Sequence, residues 1–226
     1  MKLGCFTAEF FAVNHSIPGA VGVFFQSPAG NVLHTGDFKL DQTPIDGVTT
    51  DFGALAKFSK AGVDLMMSDS TNAQNPSFTP SEAEVGKELR KIISQARGRV
   101  IIASFASHIH RMQQICDAAR DNGRKVVVTG RSMIQNTDIA RRLGYLNIPD
   151  EDIVDAYDLK GIPPEQVVIM CTGSQGERSR RWRIANGGQD HRPEQGDTVI
   201  ISATPVPATR SRHPRIALAN GADVYD

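Results

Sequence analysis

The chain has 226 residues, of which 40% are hydrophobic and 22% are charged, and its 25 lysines and arginines balance its 25 aspartates and glutamates. This composition excludes a disordered tail, a collagen-like repeat and a strongly charged polyelectrolyte. A chain of this length can bury a sizeable core, either in one large domain or in two smaller ones. No apolar run reaches the ~18 residues of a membrane span, and no secretory signal is visible, so we expect a cytoplasmic protein without a membrane partner.

Cysteine and arginine placement narrows the class of protein further. Cys5, Cys116 and Cys171 are odd in number, widely spaced and set in apolar surroundings, which favours reduced core thiols over disulfides or a cysteine zinc site. Every arginine lies at or after Arg90. A partner with phosphates would therefore meet the second part of the chain, although a solvated arginine-rich face without a ligand is the commoner outcome.

The first part of the chain alternates strand-like runs with turn signals. The turn at residues 27–30 contains Pro28 and Gly30 and predicts a hairpin. We predict strands at 10–13, 21–26, 31–34 and 63–67, and a helix at 52–60. The strand at 63–67 is expected to be buried. It runs directly into five polar residues, and strand ends of this kind are where α/β proteins place ligand chemistry.

The second part repeats strands and helices with short turns between them. A capping box with Thr79 at the N-cap and Glu82 three positions later predicts a helix that ends near Ala96. Further strands are predicted at 99–103, 125–129, 167–171, 198–202 and 222–225, and further helices at 108–121 and 132–143. Strand–helix–strand units of this kind indicate a mostly parallel sheet. We place the domain boundary near residue 78.

Two groups of residues could carry chemistry. His15 and Asp37 each follow a predicted strand, and an imidazole and a carboxylate suit a divalent metal such as zinc, although a lone pair of this kind is more often structural. The predicted helix at 108 follows Ser104 and Ser107, and its free N–H groups favour a phosphate, unless one serine only caps the helix. The small-residue turn at 173–176 is a second, weaker phosphate candidate.

Six motifs along the chain carry a resemblance to a known family: Asn14–Ala20, His34–Lys39, Ser68–Ala73, Ser104–Arg111, Thr129–Met133 and Cys171–Glu177. Together they resemble the ribonuclease J family, whose members are nucleases of the metallo-β-lactamase superfamily with a β-CASP domain. In combination they are far more specific than a single short motif. The resemblance implies an α/β fold, with a partial metallo-β-lactamase αββα sandwich at 1–78 and a truncated β-CASP domain with a mostly parallel Rossmann-like sheet at 79–226.

The same resemblance implies roles for individual residues. His15 would bind one zinc ion, Asp37 would bridge two, and Asp69 would be the acidic residue that orients groups at the metal centre, although without the family Asp69 is equally well a turn residue. The residues implied to contact RNA are Ser104, Ser107, His108 and Arg111. The implied activity is zinc-dependent cleavage of single-stranded RNA, as a 5′ exonuclease and as an endonuclease, in RNA maturation and decay. The full-length protein is expected to be a homo-oligomer.

The chain also departs from the family pattern. The His-x-His-x-Asp-His motif that supplies most zinc ligands is absent, and we reject His108-Ile109-His110 as a substitute because Arg111 and Met112 follow it. The later histidine motifs are expected beyond Asp223, so we expect an internal fragment that is inactive alone. Residues 178–183 and 208–215 interrupt the pattern, as reading-frame shifts would, or as an arginine-rich RNA-binding loop with Trp182 would. Two alternatives to the ribonuclease remain: another hydrolase of the superfamily, and a metal-free RNA-binding module.

Overall fold

A computed structural model of the chain describes residues 1–71, 73–74, 76, 79–172, 194–202 and 223–225. The chain divides into two compact units, Met1–Val85 and Gly86–Asp226. The assignment of residues 1–78 and 79–226 to domains of two families stays a prediction. No helix in the described ranges is both long and apolar enough to cross a membrane.

The first unit is built on a five-stranded sheet in the order β1-β2-β3-β4-β5. Strands β1 to β4 pair antiparallel, and β5 adds to β4 in parallel. The bounds are β1 Lys2–Leu3, β2 Phe6–Ala12, β3 Val21–Ser27, β4 Gly30–His34 and β5 Leu65–Met67. Strands β3 and β4 form the hairpin that the turn at 27–30 predicts.

Helix α1, Phe52–Ala61, packs on one face of this sheet through Phe58. The Phe58 ring stacks on Phe24 with 4.4 Å between ring centroids and meets Phe11 edge to face. Such aromatic pairs stabilise a core beyond the area that they bury. The Asp51 carboxylate accepts the Ala54 N–H at 2.8 Å and fixes the start of the helix.

The prediction that the strand at 63–67 is buried is wrong. Strand β5 is shorter, and Leu65, Met66 and Met67 are each about half exposed. The strand lies at the edge of the sheet, and β4 is its strand partner among the described residues. An apolar run predicts burial only where another element covers it, and the described part of this unit places none there.

The second unit is built on a five-stranded, fully parallel sheet in the order β10-β9-β6-β8-β7. The strands are β6 Val100–Ser104, β7 Lys125–Thr129, β8 Val167–Cys171, β9 Thr198–Ser202 and β10 Asp223–Tyr225. Strand β6 lies between β8 and β9, and all five of its residues are buried. Strands that read as continuous apolar runs are typical of such sheets. The predicted α/β fold with a mostly parallel sheet is confirmed.

Three helices form where the apolar periodicity predicts them; the first precedes β6, and the other two follow β6 and β7. The three helices are α2 Glu82–Gln95, α3 Ile109–Asp121 and α4 Arg131–Arg142. Helix α3 buries the stripe that contains Met112, Ile115 and Ala119. Three short 3₁₀ helices, at Asp150–Asp152, Ala156–Gly161 and Pro164–Gln166, were not predicted because their sequence carries no apolar period.

The start of α2 differs from the predicted capping box. The helix begins at Glu82, so Thr79 is not its N-cap. The Ser81 hydroxyl accepts the Ala83 N–H at 3.2 Å, and the carboxylate of Asp41 accepts the Glu82 N–H at 3.0 Å. A residue from a distant loop thus satisfies a helix N–H that local sequence alone assigned to Thr79.

The cysteines are free, as predicted, but they do not all lie in the core. Cys116 and Cys171 are buried, whereas Cys5 is exposed in the turn between β1 and β2. The prediction of a core thiol at Cys5 is therefore wrong, because a two-residue turn carries it to the surface. The turn at 173–176 and the stretches 178–183 and 208–215 lie outside the described residues.

Candidate active site

The three residues predicted to act at a metal follow three strands that run in the same direction. His15 comes three residues after β2, Asp37 three residues after β4, and Asp69 two residues after β5. Because β2 and β4 both pair antiparallel with β3, and β5 runs parallel to β4, the three strands run in the same direction. Their C-terminal ends therefore lie along the same edge of the sheet, the edge that runs across the strands. The fold thus brings residues from three separate motifs to the same edge.

Hydrogen bonds tie the three loops together. The Lys39 N–H donates to the Asn14 carbonyl at 2.8 Å, which joins the Asp37 loop to the residue before His15. The Phe38 N–H donates to the Asp69 carboxylate at 3.5 Å, and the Asp69 N–H donates to the Thr35 hydroxyl at 3.0 Å. Each bond involves a residue next to, or itself among, the predicted site residues.

Gly36 sets the direction in which the chain enters Asp37. Its φ is 65°, a conformation that residues with a side chain rarely adopt, and an added Cβ would lie 2.7 Å from the Val21 carbonyl oxygen. A larger residue would have to push the loop away from the sheet edge. Gly36 is therefore a geometric requirement of this loop.

Asp69 is held in its ionised form. The Thr71 hydroxyl and the Thr71 N–H both donate to its carboxylate, at 2.6 and 2.9 Å, and they lower the pKa of Asp69 below its ordinary value. Partial burial opposes this effect, while the Phe38 N–H and the nearby His15 add to it.

The donors present fit part of a zinc site. Asp37 is exposed, and neither its carboxylate nor the His15 imidazole hydrogen-bonds to any described residue, so their lone pairs remain available. Imidazole and carboxylate are zinc ligands, but zinc takes three or four protein ligands. Within the described ranges, no group of three or more His, Cys, Asp or Glu side chains could hold a metal ion. The described residues therefore offer an incomplete ligand set.

The predicted RNA-binding residues lie where β6 passes into α3. Ser104 is fully buried, and its hydroxyl has no hydrogen-bond partner in the part of the chain that the structure describes. Ser107 is exposed. Arg111 is buried, and its guanidinium donates to the hydroxyl and the carbonyl of Ser202 at the end of β9.

His108, rather than a serine, caps helix α3. Its Nδ1 accepts the Arg111 N–H at 3.3 Å. The alternative in which Ser104 or Ser107 caps the helix is therefore wrong, because Ser104 lies inside the sheet and His108 occupies the N-cap position. The roles of Ser104, Ser107, His108 and Arg111 toward RNA stay predictions.

Sequence reasoning missed residues that support the loops of His15 and Asp37. Asn14 is buried, and its side-chain amide donates to the Val48 carbonyl at 3.2 Å. Asp41 is buried beside Lys39, with 3.4 Å between the carboxylate and the Lys39 Nζ. Asn14 belongs to the first of the family motifs, and Asp41 lies two residues after the second. Polar residues in a loop, however, give no local signal of burial.

Known proteins are similar to this chain in sequence and in fold. Residues 97–216 match the family described as "Ribonuclease J, beta-CASP domain". The chain is 49% identical over 208 residues to the ribonuclease J of Mycolicibacterium smegmatis and 44% identical over 213 residues to that of Thermus thermophilus, covering 90% and 93% of this chain. It spans 37% of the length of each of these curated relatives.

A solved structure supports the fold alone. The crystal structure of a protein of unknown function from Enterococcus faecalis V583 matches with a TM-score of 0.57 and 15% identity, over 89% of this chain and 46% of that chain. At that identity a likeness carries no statement on function. The family match and the parallel sheet that it covers lead to one conclusion: the chain belongs to the ribonuclease J family and carries its β-CASP domain.

Proposed function

We propose that this chain contributes two parts of a zinc-dependent ribonuclease. One is a metal-binding edge, the sheet edge that carries His15, Asp37 and Asp69, and the other is the RNA-binding domain. The substrate is single-stranded RNA, which the enzyme degrades from its 5′ end and also cuts internally, in the cytoplasm. The observation that carries the proposal is that the loops of His15, Asp37 and Asp69 lie at one sheet edge and are joined by hydrogen bonds. The names of the relatives support RNA as the substrate.

Each residue at this edge has a distinct task in the proposal. His15 and Asp37 would hold the zinc through lone pairs that no described residue uses. Asp69 carries a negative charge at neutral pH and holds the Phe38 backbone, which fixes the neighbouring Asp37. When bound, two zinc ions supply an activated hydroxide and stabilise charge on the phosphate oxygens.

The second unit binds the RNA. Ser107 is exposed at the start of α3, where helix N–H groups and the helix dipole favour a phosphate. His108 fixes that end of the helix, and Arg111 holds it to the end of β9 from within the core. In this arrangement Ser107 contacts the phosphate, whereas Ser104, His108 and Arg111 shape the surface that receives it. The complete protein is proposed to act as a homo-oligomer.

A hybrid protein tests the proposal, because the chain spans 37% of the Mycolicibacterium smegmatis enzyme. In this hybrid enzyme, the 226-residue chain replaces the matching segment of that ribonuclease J. We expect it to cleave 5′-monophosphorylated single-stranded RNA, to lose cleavage in a chelator and to regain it when zinc is added. Binding and cleavage that are both indifferent to the chelator would contradict zinc dependence.

The same assay separates the two alternatives. A metal-free RNA-binding module would bind RNA in the chelator and never cleave it. Another hydrolase of the superfamily would need zinc but would leave RNA intact. Cleavage that depends on zinc and on RNA binding is expected only from the ribonuclease.

A further inference from the structure

The loop that carries Asp37 is anchored on its far side by a second group of residues. This anchor cluster consists of Lys39, Asp41, Ser81 and Glu82. Asp41 and Glu82 are buried, and Lys39 lies between their carboxylates, with its Nζ 3.4 Å from Asp41 and 3.8 Å from Glu82. All four residues belong to the first unit.

Asp41 is the centre of the anchor cluster. Its carboxylate accepts hydrogen bonds from the Thr43 N–H, the Ser81 hydroxyl and the Glu82 N–H, each at 3.0 Å. The last of these comes from the first residue of α2, where the helix dipole also favours a negative charge. The loop is thus fastened to Ser81 and Glu82, which belong to the same unit.

Lys39 transmits this anchorage to the metal-binding edge. Its side chain contacts Asp41 and Glu82, while its backbone N–H donates to the Asn14 carbonyl, directly before His15. Asp37 is two residues before Lys39. It lies between Gly36, whose positive φ favours glycine, and Phe38, whose N–H donates to the Asp69 carboxylate. The loop is therefore held on both sides of Asp37, and the anchor cluster holds the downstream side.

The anchor cluster carries a cost in folding free energy, because it buries two carboxylates beside a single lysine. Burying charge costs free energy unless hydrogen bonds and opposite charges compensate it, and a surface loop needs no such arrangement to close. Every described contact of Asp41 goes either to the Asp37 loop or to the start of α2. These contacts restrain the Asp37 loop against Ser81 and Glu82 within the first unit.

We propose that Asp41 and Lys39 are positioning residues that fix Asp37 and His15 in the geometry required for zinc binding. The inference rests on the proposed function, since it gives the anchor cluster a role toward the same zinc site. A ligand that bridges two ions must be held closely in place, and residues that orient metal ligands commonly change metal affinity when replaced. The anchor cluster supplies that restraint without touching the metal.

The test measures zinc affinity in the hybrid enzyme by competition with a chromophoric chelator. Lys39→Met removes the link to the Asp37 loop and keeps the Asp41 hydrogen bonds to α2, whereas Asp41→Asn weakens both. We expect each change to raise the zinc dissociation constant roughly 10-fold or more, with an unchanged KM for RNA at saturating zinc. Asp51→Ala is the matched control, because it removes the carboxylate cap of α1 in the same unit but leaves the anchor cluster intact.

Three outcomes are decisive. Weaker zinc binding in Lys39→Met with wild-type affinity in Asp51→Ala supports the inference, even if Asp41→Asn fails to fold. Zinc affinity within twofold of wild type in Lys39→Met overturns the inference while the proposed function stands. A parent hybrid enzyme that neither binds nor needs zinc overturns the proposed function itself, and the inference falls with it.

Discussion

His108 and Arg111 are joined by a hydrogen bond in which the His108 Nδ1 accepts the Arg111 backbone N–H at 3.3 Å. This bond caps α3 with an imidazole. The buried Arg111 guanidinium then donates to Ser202 at the end of β9. The start of α3 is thus fixed from both sides before any ligand arrives. Ser107, directly before the cap, is left exposed.

Removing the cap should cost stability. We expect His108→Ala to lower the free energy of unfolding of the chain by about 1 kcal/mol, as the loss of a helix cap does. Ser107→Ala is the control, and its cost should stay within about 0.5 kcal/mol, as for exposed positions. Urea unfolding followed by circular dichroism measures both. Equal losses in the two variants would mean that the cap is not the stabilising feature.

Ser107 should instead affect RNA binding. In the hybrid enzyme, Ser107→Ala removes a hydroxyl from the proposed phosphate-binding end of α3 while the His108 cap remains. We expect weaker binding of 5′-monophosphorylated RNA with an unchanged melting temperature. Fluorescence anisotropy with labelled RNA gives the affinity. Wild-type affinity in this variant would remove Ser107 from the RNA-binding surface.

The anchor cluster predicts an acid-sensitive contribution to stability. Burial alone would raise the pKa of Asp41, but hydrogen bonds from Glu82, Thr43 and Ser81 and the charge of Lys39 lower it below the ordinary value of 3.8. As the pH falls, the unfolded chain therefore takes up this proton before the folded chain does. The stabilising effect of Asp41 is present at neutral pH and is lost as the pH falls through the folded pKa.

Comparison with Asp41→Asn isolates this effect. The difference in unfolding free energy between the wild-type chain and the variant should be largest near pH 7 and should shrink below about pH 4. Urea unfolding at both pH values gives the two differences. A difference that is the same at neutral and acidic pH would show that the charge of Asp41 does not stabilise the fold.

The cysteines should differ sharply in reactivity. Burial raises the pKa of both Cys116 and Cys171 to about 12, so neither forms a thiolate near neutral pH, whereas Cys5 is exposed. We expect a thiol-specific reagent at pH 8 to label one cysteine quickly in the folded chain and all three after denaturation. Peptide mapping identifies the site. Rapid labelling of Cys171 in the folded chain would contradict its place inside the sheet.

Reasoning from neighbouring residues predicted the strands of the parallel sheet well. It missed hydrogen bonds between residues that lie far apart in the chain. The bounds of β7, β8 and β9 match their predictions, because each is a short apolar run with clear turn signals. The cap of α2 was assigned to Thr79, yet it depends on Asp41, some 40 residues earlier in the chain. No window of neighbouring residues contains that contact.

The same contrast between local motifs and contacts of distant residues holds for the candidate site. The motifs identified His15, Asp37 and Asp69, and the fold places them at one edge. The bond from the Asp69 N–H to Thr35, across 34 residues, was beyond local reasoning. The exposure of β5 was missed for a related reason, since apolar composition does not say which elements cover a strand.

The most direct test of the zinc-binding edge is Asp37→Asn in the hybrid enzyme. The amide keeps the shape of the side chain but lacks the negative charge that a ligand shared by two cations provides. We expect the loss of at least one zinc ion per chain and a fall in RNA cleavage of roughly 100-fold or more, with the circular dichroism spectrum and RNA binding preserved through the second unit. Zinc content and cleavage that both stay near wild type would contradict the metal-binding role of Asp37 and, with it, the proposed site.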